Sequence, residues 1–583
     1  MASVYGFHGQ YWRFDLTRRR GEFVSLPESV LRMTLGGVGL GAWLLHREAP
    51  RGVDPLAPEA PLIFSFSPLV GTPLTTSAKF AVVAKSPLTG FINDALSGSH
   101  FAIAGKRMGV DAIVLVGRCR EPSEWVDGEL RPTSMWGASA EETRQALCNS
   151  GRVAAIGVAG ENEVLYATIS NDGRHAGRGG LGAVMGAKRL KALVVAGDRP
   201  TALADPQRVA ECARELSKRA RGPATAKYRE LGTVANLAAF NRLGVLPTRN
   251  FLEGSFEAAE MLTAEELAPQ RERARNSCAS CNIGCEHVYS FAGGRTTRIE
   301  YESMFALGSL CAIGDPDAVL AAAHLCDELG LDTVSAGGTI AFAMECAERG
   351  YLESAPRFGD AEGLLSLLTD IAHRRGLGRL LAQGSRRAAL QLGRGSIDFA
   401  PQVKGLEIPG YEPRALQSMA LGFAVGTRGA DHNKSGAYQL DFSDQVDRLN
   451  GDARSAQLAV ETENQAAVID SMILCKFVRG VFRDFYAEAA ELLVAVTGWD
   501  IDADELRKLG RRIVESRKAY NIREGWQPSD DTLPERFFTE ATGGDRAGAR
   551  LPRERLAEMI RSYNLARGWT EDGYLRDGTE YGI

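Results

Sequence analysis

Short apolar runs separated by turn residues dominate the first two hundred positions: Val82-Val83-Ala84, Ala112-Ile113-Val114-Leu115-Val116, Val153-Ala154-Ala155-Ile156-Gly157 and Ala192-Leu193-Val194-Val195-Ala196. Their length and β-branched content predict strands, with a few short helices between them. Gly197-Asp198-Arg199-Pro200 reads as a link, because Gly and Pro both break regular structure. Beyond it the apolar spacing shifts towards 3.6 residues and predicts helices over 205–221, 317–329, 333–349, 361–375 and 455–477. A second break falls at Ile408-Pro409-Gly410-Tyr411-Glu412-Pro413. The expected fold is therefore α+β, with a β-rich N-terminal domain over 1–203 and two mainly α-helical domains over 204–410 and 411–583. The charged stretch 545–555 reads as solvated surface. There is no short-period repeat.

Composition narrows the function classes. The 583 residues carry 68 Lys and Arg against 73 Asp and Glu, a formal charge of −5, so there is no global basic footprint for nucleic acid. The 44% hydrophobic and 24% charged fractions exclude a mainly disordered chain. No segment approaches the ~18 uninterrupted apolar residues of a membrane helix. The basic run Arg18-Arg19-Arg20 is followed by no signal-like apolar stretch, so the cytoplasm is the expected compartment.

Ten cysteines are too sparse for a disulfide scaffold, and clustered ones then read as metal ligands or redox groups. Cys278-Ala-Ser-Cys281-Asn-Ile-Gly-Cys285 is such a cluster. Three thiolates at this spacing can wrap one face of an iron–sulfur cube, whose fourth ligand must come from elsewhere. Cys475, in Asp470-Ser-Met-Ile-Leu-Cys475, is the candidate. The competing reading is a zinc site completed by His287, although zinc usually draws its ligands as two pairs. Cys119, Cys148, Cys212, Cys326 and Cys346 are isolated and read as ordinary thiols.

These residues lie in a longer series of motifs. Leu35-Gly-Gly-Val-Gly-Leu-Gly41, Lys85-Ser-Pro-Leu-Thr-Gly90 and Ala176-Gly-Arg-Gly-Gly-Leu-Gly-Ala-Val-Met-Gly186 precede the cysteines, and Asp327-Glu-Leu-Gly-Leu-Asp332 and Asp470…Cys475 follow. In this order they resemble the aldehyde ferredoxin oxidoreductase family of tungsten or molybdenum pterin enzymes, over almost the whole chain. The resemblance implies a bis-pterin metal centre beside a [4Fe-4S] cluster on Cys278, Cys281, Cys285 and Cys475. It also implies a Mg2+ ion between pterin phosphates, and ferredoxin or an iron–sulfur subunit as electron acceptor. The expected reaction is oxidation of an aldehyde to a carboxylic acid. The alternatives are reduction of an aromatic acyl-CoA or carboxylic acid at the same centre, with Cys311 as a metal ligand, and an electron-transfer scaffold without catalysis.

The resemblance assigns cofactor contacts to Lys79, Arg178, Gly179, Asp327, Leu331, Asp332 and Asp470. Physical chemistry bears on several of them. Asp327 is near the C-terminal end of a predicted helix, where a carboxylate faces the negative end of the dipole and needs compensation from a pterin edge or an Arg. Asp332 directly precedes Thr333-Val-Ser and can also cap the next helix. Asp470 sits in an apolar helical run, where a lone carboxylate costs several kcal/mol unless bonded. The Gly177–Gly182 segment offers backbone N–H groups and one guanidinium to phosphates. Lys79 stands at the position of a family Arg that bridges pterin and cluster, and gives a point charge in place of a fork. The family's Asn-rich turn is altered here to Asn93-Asp94-Ala95-Leu96-Ser97-Gly98. Glu302 and His432 are the expected acid and base, with Glu300 as the register alternative to Glu302. Ala321-Ala-Ala-His324 lacks the Glu of the E-x-x-H site that bridges some family dimers, so a homodimer would form by ordinary packing.

Overall fold

The computed structural model describes residues 4–545 and 547–576. The N-terminal region builds two six-stranded sheets. The first holds β1 (Gln10–Asp15), β2 (Arg20–Ser25), β3 (Leu62–Ser65), β4 (Lys79–Lys85), β5 (Ile92–Gly98) and β6 (Ala112–Val116), in the order β2-β1-β6-β3-β4-β5. All its neighbours are antiparallel except β1 and β6. The second holds β7 (Ser123–Val126), β8 (Glu129–Pro132), β9 (Arg152–Ala155), β10 (Ile169–Asn171), β11 (Arg174–Ala176) and β12 (Leu190–Val195), in the order β11-β10-β9-β12-β7-β8. The apolar runs read from the sequence became β4, β6, β9 and β12. β6 is buried at every position, as an unbroken Ala-Ile-Val-Leu-Val run requires.

Helices dominate after residue 205, as expected. Those over Pro206–Arg219, Pro316–Leu329, Thr333–Glu348 and Ala361–Ala372 follow the periodicity closely. Three expectations need correction. The last predicted helix runs over Ala453–Met472 and stops short, because Ile473 adopts a left-handed conformation (φ 62°) that closes it. Cys475 is thereby released from the helix. The segment 408–413 is wholly buried rather than an exposed linker, with Glu412 and Ile408 almost without solvent contact. The altered Asn93–Gly98 segment is strand β5, not a turn, held in register by Val83↔Asp94 and Lys79↔Gly98.

The second region also contains a three-stranded antiparallel sheet: β13 (Glu272–Asn276), β14 (Glu286–Phe291) and β15 (Arg295–Arg298). Periodicity did not reveal it, because β13 (Glu-Arg-Ala-Arg-Asn) and β15 (Arg-Thr-Thr-Arg) carry almost no apolar residues. In 545–555 the described residues are mostly exposed, with Leu551 buried, and Arg546 lies outside the described residues. No helix among the described residues is long and apolar enough to cross a membrane.

One hydrophobic core runs from Phe7 to Trp569 and joins both sheets to the helices. The glycine-rich segment near the start makes a critical junction in it. Helix Gly37–Glu48 packs against the end of helix Ala453–Met472, and Gly39 N–H donates to Ser471 Oγ at 3.1 Å. A Cβ on Gly39 would lie 2.1 Å from the Thr34 carbonyl oxygen, and one on Gly37 would lie 2.5 Å from the Ser471 oxygen. Only glycine permits this approach. Gly39→Ala is expected to cost about 1–3 kcal/mol by overpacking, read as a fall of several degrees in the apparent melting temperature. An unchanged melting temperature would show that the two helices can part without loss.

Candidate active site

The three-cysteine motif is the loop of a β-hairpin. The last pair of the β13–β14 ladder is Asn276↔Glu286, so residues 277–285 form a connection anchored at both ends. A second segment ties this loop to the distant Cys475. Thr76 N–H donates to the Ser280 carbonyl at 2.6 Å, and Thr76 Oγ1 accepts from Cys475 N–H at 3.4 Å. Thr75 Oγ1 and the Asn282 side chain are 2.8 Å apart. Gly98, at the end of β5, closes the other side: a Cβ there would stand 3.1 Å from Cys278 Sγ.

None of the four cysteines is in a disulfide. Burial, reinforced by the charges of Cys475 and Cys278, raises the Cys285 thiol far above its usual range. Burial pushes Cys281 up to about 11, with Cys475 and Cys278 adding to the effect. Among the described residues, no three His, Cys, Asp or Glu side chains converge as ligands of a single ion. A four-iron cube takes one thiolate at each corner and does not require that convergence. His287 does not line the cleft described below; its ring is buried, with Nδ1 3.0 Å from Glu272 Oε2 on the neighbouring strand.

Cys278, Cys285 and Cys475 open onto a cleft of about 430 Å³. Of the other residues singled out, Lys79, Arg178, Glu302, Asp327, Leu331, Asp332, His432 and Asp470 line it too. Gly179 is not on this wall. Its backbone (φ 84°) sits against Asn93, whose Nδ2 donates to the Arg178 carbonyl at 3.0 Å. Lys79 lies between the cysteines and Asp470. Burial lowers its pKa, but the Cys475, Cys278 and Asp470 charges outweigh this and raise it overall.

The carboxylates are not alone. Asp327 is compensated by His175 Nε2 at 2.9 Å and Arg298 Nε at 3.5 Å. Burial raises its pKa, but His175 and Arg298 prevail and hold it below the usual carboxylate value. Asp332 caps helix Thr333–Glu348 by accepting from Val334 and Ser335 N–H at 3.3 and 3.2 Å, and Arg178 Nε stands 3.5 Å away. The Arg178 guanidinium also donates to the carbonyls of Ala430 and Glu407, which fixes it across the cleft wall. Asp470 is 3% exposed, and its two oxygens meet Lys434 Nζ at 2.9 Å and Lys476 Nζ at 2.8 Å. Lys434 pairs as well with Asp94 on β5, which Arg517 approaches to 2.8 Å. Burial raises the Asp94 carboxyl, but Arg517, Lys434 and Arg428 bring it down to about 2. The sequence reading missed Asp94, His175, Arg298, Lys434 and Lys476. Lys434 and Lys476 could have been suspected, since a buried Asp470 demands cations and each lies just beyond a residue already singled out, His432 or Cys475.

Glu302 and His432 form the polar centre of the cleft. Glu302 begins helix Tyr301–Leu307, and its Oε2 accepts from Gly410 N–H at 3.0 Å. Gly410 belongs to the buried 408–413 segment, the second break in the sequence. Glu302 Oε1 faces His432 Nδ1 at 3.5 Å, and both atoms are buried without a hydrogen-bond partner. Burial pushes the Glu302 carboxyl up to about 7, against the Gly410 N–H and Arg178. Burial also pushes the His432 imidazole down to about 4, with Asp431 opposing. Near neutral pH the pair therefore carries at most one proton, held on Glu302. His432 is stacked on Tyr411 at 4.8 Å. Glu300, the register alternative, is exposed and paired with Arg174 at 3.1 Å. Cys311 does not line the cleft. Its thiol is buried at the Ala306 and Gly337 carbonyls, 3.4 and 3.7 Å away.

A buried acid–base pair with two atoms lacking partners, together with cysteines and carboxylates lining the same cleft, is a donor set suited to a large polar redox cofactor. The comparisons agree with this. The family model for the N-terminal domain of aldehyde ferredoxin oxidoreductase matches residues 11–197, and that for its domains 2 and 3 matches residues 211–580. The tungsten-containing aldehyde ferredoxin oxidoreductases of Pyrococcus furiosus and Thermococcus kodakarensis are each 37% identical, over 98% of this chain and 98% of their own. The aliphatic sulfonate oxidoreductase WOR-like subunit of Pyrococcus furiosus is 27% identical over 98% of this chain and 96% of its own. Among solved structures, the active-site complex of benzoyl-coenzyme A reductase with 1,5-dienoyl-CoA aligns with a TM-score of 0.85 at 25% identity, covering 99% of this chain and 97% of that one. By both halves of its length and by its cleft, this chain belongs to the aldehyde ferredoxin oxidoreductase family.

Proposed function

We propose that the chain oxidises aldehydes to carboxylic acids at a tungsten or molybdenum bis-pterin centre, and passes the electrons through a [4Fe-4S] cluster to ferredoxin or an iron–sulfur partner. The observation that carries this reading is one cleft bordered by the cysteine loop, Cys475, the carboxylates and the Glu302–His432 pair. Asp327, Leu331, Asp332, Arg178, Lys79 and Asp470 would hold the pterins, with Gly179 and Asn93 shaping the backbone behind Arg178. Cys278, Cys281, Cys285 and Cys475 would hold the cluster. Bound there, the metal supplies a two-electron acceptor and the cluster a one-electron exit.

The protein's part is positioning and proton transfer. Glu302, as the carboxylate, accepts a proton from a hydroxyl of the hydrated aldehyde and holds it beside His432 Nδ1, 3.5 Å away. Arg178, locked by two carbonyls, presents a fixed cation to the cleft. The acyl-CoA reductase reading drew on Cys311 as a metal ligand, and the burial of that thiol outside the cleft favours aldehyde oxidation. The scaffold reading leaned on Lys79 and on the altered Asn93 region. Asn93 is intact as the support of Arg178, and iron without tungsten or molybdenum in the purified protein would be needed to revive that reading.

Three outcomes are expected. Aldehyde oxidation requires Glu302 unprotonated, so kcat/KM should rise with pH through about 7. Glu302→Gln should cost about 10²–10⁴-fold and abolish that limb, and a mutant retaining the limb would exclude Glu302 as the base. Cys475→Ser should alter the electron paramagnetic resonance of the reduced cluster, and an unaltered four-iron spectrum would remove Cys475 as a ligand. Asp470→Ala should lower the melting temperature, because Lys434 and Lys476 lose their shared partner, and below that temperature it should lose pterin, measured as its fluorescent oxidation product, while circular dichroism stays native. Full pterin content would refute the contact.

A further inference from the structure

We propose that the flank of helix Pro206–Arg219 beside the cysteine loop is the docking face for a small acidic electron-carrying protein. This rests on reading the four cysteines as an iron–sulfur cluster, and adds the place where its electrons leave. The loop is at the surface: Ser277 and Ser280 are exposed and Cys281 is partly so. Asn282 fastens it to the helix by donating to the Ser217 carbonyl at 2.8 Å and to Ser217 Oγ at 2.6 Å. Ser217 therefore marks the flank that adjoins the loop.

The charges on this helix differ in whether they are paired. Val209, Ala213 and Leu216 face the core. At 3.6 residues per turn, Arg214 and Lys218 project within roughly 100° of Ser217, and Arg221 follows just past the helix end. All three are exposed, and none forms an ion pair among the described residues. The acidic residues Glu211 and Glu215 are interleaved with these cations on the outer face, but their ion pairs are with other arginines. Glu215 meets Arg219 and Arg483, each at 3.4 Å, and Glu211 meets Arg208 at 3.1 Å. The result is three uncompensated cations next to the cysteine loop, on a chain whose net charge is −5. Such a patch steers an oppositely charged partner and sets its orientation, and contributes more to encounter rate than to affinity.

The test uses the holoenzyme with an acidic [4Fe-4S] ferredoxin as the probe and benzyl viologen as the small acceptor. The combined variant Arg214→Gln, Lys218→Gln, Arg221→Gln should raise the KM for ferredoxin about 10-fold or more at low ionic strength. It should flatten the salt dependence and leave viologen activity and iron content unchanged. An unchanged ferredoxin KM overturns the proposal. So does a change in oligomeric mass without a change in that KM, which would make the patch a contact between copies of this chain. Carbodiimide cross-linking of the parent holoenzyme to ferredoxin, mapped by mass spectrometry, reads the same face without any substitution. A link at Lys218 supports the proposal, and links confined to other lysines overturn it. Failure of the cluster reading would be recognised separately, as a parent protein without iron.

Discussion

Buried charge has to be answered by buried charge, and that constraint organises the centre of this molecule. Asp470 and Asp94 come from a helix and a strand more than 370 positions apart, and Lys434 bridges them. Lys476 and Arg517 complete the set. Stripping one partner from such an arrangement costs about 3–5 kcal/mol, because it strands a charge without solvent. The network therefore fixes β5, the segment around His432 and the end of helix Ala453–Met472 relative to one another. Those three elements form one side of the cleft. The geometry of Glu302 and His432 is inherited from it: Asp431 caps the short helix His432–Ser435, and Arg428, 3.2 Å from Asp431, also donates to the Asp94 carbonyl.

A second constraint acts on the other wall. Three cysteines in a hairpin loop and a fourth about 190 residues away reach the same cleft only if something joins the two segments. Thr75 and Thr76 do this with main-chain and hydroxyl hydrogen bonds. Thr76 takes a positive φ of 66°, unusual for a β-branched residue. The strain is local, and the bonds to Ser280 and Cys475 hold it in place.

Much of this was legible in the sequence where the signal was local. Unbroken apolar runs named the inner strands, 3.6-residue spacing named most long helices, and cysteine spacing singled out the loop that borders the cleft. The failures share a physical origin. The strands β13 and β15 are made by pairing rather than by burial, so their charged sequences carry no period. Segment 408–413 holds Pro and Gly in the manner of a linker, yet its Gly410 N–H serves Glu302 inside the protein. His175 and Arg298 reach Asp327 from distant segments, and only tertiary structure brings them near. Asp332 shows the limit of local logic, since its capping of the next helix coexists with its place on the cleft wall.

The left-handed turn at Ile473 has a consequence for the speed of charge movement. It reverses the chain between Asp470 and Cys475, so that one residue belongs to the acidic wall and the other to the sulfur loop. The gap between whatever each side chain grips is spanned by five peptide units of covalent backbone rather than by an interface between domains. Breathing of the surrounding helices would then leave the tunnelling distance almost unchanged. If the proposed function holds, the protein can flex to admit and release molecules without detuning the path of its electrons.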